Sequence, residues 1–449
     1  MAQESVNPTN LTRQNVMRFI EERGIKIINL WFVDILGMLK SFGITPMQLE
    51  EALDEGLGFD GSSVEGFARI YESDLIAVPD LSTFQLLPWR IDGELHARMM
   101  CDILNPNGQP YVGDPRHVLR RNLQRARDLG YSFNVGPELE YFYLKSPSEP
   151  VTMDIAGYFD QTPDDLGTEL RHKTIQALQA MGIGVEVGHH EVAPSQHEID
   201  LKYQEAMLMA DATITYRYVV KWIARANGTY ATFMPKPLFG ENGSGMHVHQ
   251  SLFRGEQNAF FDASDPHHLS KVGRAFMAGL MRHAREMCVV TNQWINSYKR
   301  LVPGFEAPVY VAWGQRNRSA LVRVPMYKPG KEKATRIEYR CPDPACNPYL
   351  AFSVMLAAGL KGIQEGYDLA PPVEEDIFHM TASEKLSRGI DTLPGSLLAA
   401  IQIAEESELL AEALGEHVFT KFLENKKIEW DRYRVQVTGY EIERYLPLL

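Results

Sequence analysis

Apolar residues recur at helical spacing along Asn10 to Arg23, at Leu11, Val16, Phe19 and Ile20, and Gly24 follows where a helix would stop. Ile25 to Val33 and Met38 to Ile44 read as two strands around a turn at Asp34 to Gly37. Pro46 to Gly56 returns to a helical pattern. Leu75 to Val78, Phe84 to Pro88 and His96 to Ile103 read as short strands. The stretches Asn105-Pro-Asn-Gly108 and Gly113-Asp-Pro115 are rich in turn formers, and the domain boundary is placed there. Residues 1–110 then form a small α+β domain and residues 111–449 a larger one. The larger domain opens with a helix at Arg116 to Leu129 and a strand at Tyr131 to Leu144. The apolar run from Leu350 to Leu360 is too short to cross a bilayer and reads as a buried helix.

Several strands carry charge on one face, which is unusual for a buried parallel sheet. Side chains alternate between faces along a strand, so residues two apart share one. In Gly136 to Tyr143, Glu138 and Glu140 share a face, with Leu139 and Tyr141 on the other. In Thr335 to Arg340, Arg336, Glu338 and Arg340 share a face, and Ile337 and Tyr339 point away. His247 and His249 pair in the same way, and His189 to Glu198 supplies Glu191 and Glu198. Carboxylates gathered on a core-facing surface stay ionised only where a cation or an arginine compensates. Oxygen-rich sets with an occasional imidazole suit magnesium or manganese rather than structural zinc. Interleaved arginines point to a phosphate or carboxylate substrate beside the metals. The same alternation also describes a plain solvated face, and spacing alone does not bring the four segments together.

Composition narrows the setting. The chain has 449 residues, 45% of them apolar and 23% charged, ordinary for a globular protein of two or three domains. A formal charge of −13 argues against nucleic acid or an anionic membrane as partner, while leaving room for a locally basic anion site. Four scattered cysteines (101, 288, 341 and 346) fit reduced thiols rather than a disulfide framework. Met1 to Asn10 is polar and lacks the pattern of a signal peptide, so a cytoplasmic location is expected.

Loops add further chemistry. Asn242-Gly-Ser-Gly245 precedes the histidine pair and can bring backbone amides close to a ligand, although a plain hairpin has the same composition. Asp60-Gly-Ser-Ser63 offers a carboxylate and two hydroxyls in a turn-prone stretch. Lys299 to Glu306 is a Pro-Gly loop ending in an acid, as a mobile lid or an ordinary surface loop would be. Arg316, Arg318, Arg323 and Lys333 concentrate positive charge in a short span and favour an anion site.

Taken with Gly136-Pro-Glu138, His190-Glu191, Lys236-Pro237, Asn242 to His247, Asn296 to Gly304, Asn317-Arg-Ser319 and Arg336-Ile-Glu338, these segments resemble glutamine synthetase of the bacterial and archaeal type I, in its short form. The resemblance runs from about Asn15 to Tyr445, with the motifs in the family's order. It implies a β-grasp-like N-terminal domain and a catalytic domain built on a curved antiparallel sheet flanked by helices. It also implies two divalent metals, ATP, glutamate and ammonium, in a dodecamer of two stacked hexamers with sites between neighbouring subunits. Glu140, Glu191 and Glu198 would hold the metal near glutamate, and Glu138, His247 and Glu338 the metal near the ATP phosphates. Asn242, Gly243, Arg300, Arg318 and Arg340 would bind glutamate. His249, Ser251, Arg323, Lys333 and Arg336 would serve ATP. Asp60 would bind ammonium and help deprotonate it, Ser63 would accompany it from the neighbouring subunit, and Glu306 would close over the site. Glu441 to Leu449 would reach the opposite ring, and Arg69 would mediate feedback inhibition by glutamine.

Three departures stand out. Leu139 and Phe305 replace a proline and a tyrosine common in the family, and both keep apolar bulk. Phe378 occupies the place of a tyrosine that is adenylylated in other forms, so no such control is expected. The nearest alternative function is a γ-glutamyl ligase of the same fold that takes a polyamine or another amine. A non-catalytic regulatory or binding relative is the next, and a nitrogen-regulatory protein partner is compatible with the chain.

Overall fold

Thr12 and Gly24 close the two ends of the first helix, Arg13–Arg23. The Thr12 side chain accepts from the Asn15 amide, and Gly24 turns left-handed (φ 64°). The computed structural model describes residues 11–66, 74–163 and 165–449, so Arg69 lies outside the described residues.

The first sheet contains β1 (Ile27–Val33), β2 (Leu39–Ile44), β3 (Leu57–Asp60), β4 (Asp74–Pro79), β5 (Gln85–Ile91) and β6 (Glu94–Leu104). Their order is β2-β1-β6-β4-β3, with β5 also paired to β6. Only β1 and β6 run parallel. Helices Arg13–Arg23 and Pro46–Glu55 bury Val16, Ile20 and Leu49 in a core with Ile28, Leu30 and Met99. The four-residue β3 has no counterpart in the sequence reading, because a strand so short carries too little alternation to register.

The second sheet is larger. It comprises β7 (Ser132–Leu144), β8 (Val185–His190), β9 (Gln196–Leu201), β10 (Gln204–Glu205), β11 (Tyr230–Thr232), β12 (Met246–Arg254), β13 (Gln257–Asn258), β14 (Tyr310–Gly314), β15 (Ala320–Arg323), β16 (Ile337–Tyr339) and β17 (Asp391–Thr392). The main order is β17-β14-β15-β16-β12-β7-β9-β8, with β10 and β11 on β7 and β13 on β12. Pairing is antiparallel throughout, except between β14 and β15. The sheet is therefore mixed by one pair.

Helices cover the apolar face of this sheet. Leu139, Tyr141, Met246, Val248, Ile337 and Tyr339 are all buried in one core. Helix Ala206–Ala226 lies against that face, with the Tyr216 hydroxyl donating to the Leu139 carbonyl (3.1 Å). Helix Pro348–Glu365 is the expected buried helix, capped by Asn347 and ended by left-handed Gly366. It crosses helix Lys271–Arg282 so closely that a Cβ at Gly279 or Gly362 would lie 2.1 Å from a carbonyl oxygen of the other helix. Among the described residues no helix is long and apolar enough to cross a membrane.

The two sheets are tied together by buried polar contacts. Arg116 pairs with Asp80 and Asp102 of the first sheet's loops and strands and with Asp211 of helix Ala206–Ala226. Gln293 Nε2 donates to Leu36 O (2.8 Å), and Asn347 Nδ2 donates to Ile35 O (3.1 Å).

Candidate active site

Register across the second sheet brings the charged faces of six strands together. On β12, His247 lies opposite Glu138 of β7, and His249 lies opposite Glu338 of β16. Glu140 of β7 faces Glu198 of β9, which in turn faces His189 of β8. Glu338 also pairs across to Arg323 of β15.

Two ligand-like clusters result, each with its donor atoms within 4.8 Å of one another. In one, His247 Nδ1 lies 3.3 Å from Glu138 Oε2 and 3.6 Å from Glu338 Oε1. In the other, His189 Nδ1 and Nε2 lie 3.4 and 3.3 Å from Glu191 and Glu198. Glu140 stands between them, its Oε2 accepting from Gln196 Nε2 and from the Gly245 amide, both at 2.9 Å.

The clusters differ electrostatically. Burial works to raise the Glu138 and Glu338 carboxyls, but His249, His247 and, for Glu338, Arg340 outweigh it, and both lie below the usual range. His249 Nε2 is 2.6 Å from Glu138 Oε1, and Arg323 Nε is 2.5 Å from Glu338 Oε2. The second cluster has no such compensation. Burial, then Glu140, pushes Glu191 up to about 9. Burial, then Asp200, pushes Glu198 well up, and burial also raises Glu140 despite His247 and Arg300. Asp200 rises to about 7 through burial and Glu138. Carboxyls that hold protons so tightly are short of positive charge, and a hard divalent cation among oxygen donors supplies it. The donor sets therefore fit divalent metal.

Two cavities open onto these clusters. The smaller is lined by Glu140, Glu191, Asn242, Gly243, Gly245, His247, Arg300, Glu306 and Arg340. Arg300 is buried and held by the Cys341 carbonyl (2.8 Å). The glycines of the 242–245 loop have a steric reason: a Cβ at Gly243 would lie 2.4 Å from Pro235 O, and one at Gly245 2.6 Å from Arg300 Nη2. The larger cavity, about 380 Å³, is lined by Glu138, His249, Ser251, Lys333 and Arg336 among others. Glu138 and Glu140, two residues apart on one strand face, thus open into adjoining cavities.

Other sequence-derived candidates sit at the margins. Arg318 is largely exposed, 3.9 Å from Glu306. Arg323 lines neither cavity and reaches the site through Glu338. Lys333 pairs with Glu256 at 2.8 Å. Asp60 and Ser63 also line neither cavity; they are exposed at the end of β3, with Asp60 Oδ1 accepting from the Ser62 amide (2.9 Å). The sequence reading passed over His189, Asp200, Glu186 and Tyr203. His189 joins the second cluster, and the other three line the larger cavity. Only for His189 was there a signal, its place in the His-His-Glu run.

Comparison with known proteins places this architecture. A family model described as glutamine synthetase, β-grasp domain, matches residues 24–106, and one described as glutamine synthetase, catalytic domain, matches 112–445. The glutamine synthetase of Mycobacterium tuberculosis (strain H37Rv) is 54% identical over 442 residues, which is 97% of this chain and 99% of that one. That of Thermotoga maritima is 49% identical over 442 residues, 98% and 100% of the two chains. A solved structure described as "Apo GmaS without ligand" superposes with a TM-score of 0.86 at 30% identity, over 96% of this chain and 99% of that one. The chain belongs to the glutamine synthetase family, type I.

Proposed function

We propose that the chain joins ammonia to the side-chain carboxylate of glutamate at the expense of ATP, by way of γ-glutamyl phosphate, giving glutamine, ADP and phosphate. The larger cavity takes the nucleotide and the smaller one takes glutamate. The observation that carries this is the placement of Glu138 and Glu140 on one strand face between the two cavities.

The chemistry divides among the residues. Asn242, Gly243, Arg300, Arg318 and Arg340 bind glutamate, with Arg300 and Arg340 offering guanidinium groups to carboxylates. His249, Ser251, Lys333 and Arg336 bind ATP, and Arg323 acts on its phosphates. Glu140, Glu191 and Glu198, with His189, would hold one magnesium or manganese ion, and Glu138, His247 and Glu338 the other. When bound, such ions neutralise the phosphates and the developing charge of phosphoryl transfer. The carboxylate of glutamate needs this activation because oxide is a poor leaving group. Asp60 binds ammonium and takes a proton from it, so that a neutral amine attacks the acyl phosphate. Glu306 closes over the site and limits hydrolysis of that intermediate.

Asp60 and Ser63 serve the site of a neighbouring subunit, in a dodecamer of two hexameric rings. Their exposure, and that of Tyr440, Ile442, Leu446 and Leu448 near the C-terminal end, supports assembly. Residues 1–110 and 111–449 form the two domains. The enzyme works in the cytoplasm, consistent with four buried free cysteines. Glutamine feeds back through Arg69. Phe378, packed edge-on against Tyr310 (5.6 Å between ring centroids), leaves adenylylation without a hydroxyl.

The test is phosphate release from ATP with magnesium and glutamate, across ammonium and a panel of amines, with glutamine assayed directly. Phosphate and glutamine should appear together with ammonium. Turnover confined to a larger amine would overturn the ammonia reading.

A further inference from the structure

The turn that carries Asp60 is exposed at its tip yet anchored at its stem by segments far away in the chain. Glu65, 7% exposed, places its Oε1 2.5 Å from the Tyr111 hydroxyl and 3.0 Å from His417 Nε2. Its backbone carbonyl accepts from Asn425 Nδ2 (3.0 Å). The preceding carbonyl, that of Val64, accepts from the Ile35 amide (2.9 Å). Next to it, Gly66 is left-handed (φ 70°), and a Cβ there would lie 2.7 Å from Asn425 Oδ1.

A buried carboxylate is costly unless its partners are well placed. Here it is retained beside buried Val64 in a turn that exposes Asp60 and Ser63, and its partners come from helix Glu416–Arg434 and from the start of the catalytic domain. Glu65 lines neither of the two cavities, and its side chain contacts Tyr111 and His417. What it fixes is the path of the backbone between Asp60 and Gly66.

We infer that Glu65 is the positioning residue for Asp60: clamped by Tyr111 and His417, it holds the ammonium-binding carboxylate at the reach and angle that amine attack requires. The inference rests on the assignment of Asp60 to ammonium. The Asp60 carboxylate is held within its own turn by the Ser62 amide, and that turn is tied to the rest of the chain through Val64 and Glu65. Displacing a reacting group by about 1 Å can cost on the order of a hundredfold in rate.

The test compares two acceptors in the assembled enzyme, ammonium and hydroxylamine. Hydroxylamine is a weaker base, mostly neutral at pH 7, and so needs little help in losing a proton. Asp60→Asn should depress kcat/KM with ammonium far more than with hydroxylamine. Glu65→Ala should show the same selectivity, with a loss of roughly tenfold to a hundredfold for ammonium. Glu65→Gln, which keeps an acceptor for Tyr111, should recover most of it. Tyr111→Phe, a milder cut, should show the same bias at smaller amplitude and stands in if Glu65→Ala does not fold. Equal losses with both acceptors, for both Glu65→Ala and Tyr111→Phe, would reduce Glu65 to a structural residue and overturn the inference alone. Absence of selectivity in Asp60→Asn itself would overturn the assignment of Asp60, and the inference with it.

Discussion

Glu138 and Glu140 project from the same face of β7 two residues apart, yet their carboxyls are shifted in opposite directions. Glu138 is held below the usual range by His249 and His247 against the effect of burial, and Glu140 is raised by burial. The strand thus runs from a charge-balanced end beside the larger cavity to an acid-rich end beside the smaller one.

That asymmetry predicts how metal and pH combine. A carboxyl whose folded pKa exceeds its unfolded value favours folding most at low pH, and loses that advantage as pH rises toward the folded value. Glu191 shifts from an ordinary 4.5 to about 9, with Glu198 and Glu140 in the same direction. Metal-depleted protein should therefore lose thermal stability as pH climbs through that window. Added magnesium should raise Tm by more near the top of the window than near its bottom, as differential scanning fluorimetry would show. A metal effect independent of pH would contradict the electrostatic account.

Glu338 is the common acid of Arg323, Arg340 and His247. Glu338→Gln should remove the carboxylate that Arg323, Arg340 and His247 share, leaving His247 with Glu138, and lower kcat by roughly a hundredfold or more. Manganese titration by calorimetry should show one weakened site and one nearly unchanged. Both sites weakening equally would mean that the two clusters act as one.

Gly245 is a steric gauge for Arg300. Gly245→Ala places a methyl group 2.6 Å from Arg300 Nη2. Because the obstacle is the end of a side chain, Arg300 should shift rather than the fold fail. The expected result is a rise of about tenfold in KM for glutamate with KM for ATP little changed, read by steady-state kinetics.

Gly362→Ala tests the core. Its Cβ would meet the Ala275 carbonyl at 2.1 Å, and backbone cannot step aside as a side chain can. Overpacking of this kind costs ~1–3 kcal/mol and at times more. A drop in Tm of several degrees, with the metal affinity of the surviving folded protein intact, is the expected outcome.

Strand alternation carried much of this site from sequence. The face assignments of Glu138, Glu140, His247, His249 and Glu338 needed only the two-residue period, and Leu139, Tyr141, Ile337 and Tyr339 do turn into the core. What one strand cannot express is its register against the next. Asp200 reaches the larger cavity because β9 pairs with β7 so that Asp200 lies opposite Glu138. Glu186 and Tyr203 arrive there from a strand and a connection that show no motif of their own. His189 was overshadowed by its neighbours in the His-His-Glu run. Glu65 was invisible for a related reason, since its partners Tyr111, His417 and Asn425 lie up to 360 positions away.

Because ligand candidates and core residues occupy alternate positions of the same strands, a single inserted or deleted residue within β7 or β12 would do more than displace the site. It would exchange Glu138 and Glu140 for Leu139 and Tyr141, driving charge into the interior and oil into the cavities. These strands can thus drift by substitution but not by length, while the connections between them remain free to grow. Among relatives, differences in chain length should therefore collect outside the ligand-bearing strands, where catalysis can be re-tuned without reopening the core.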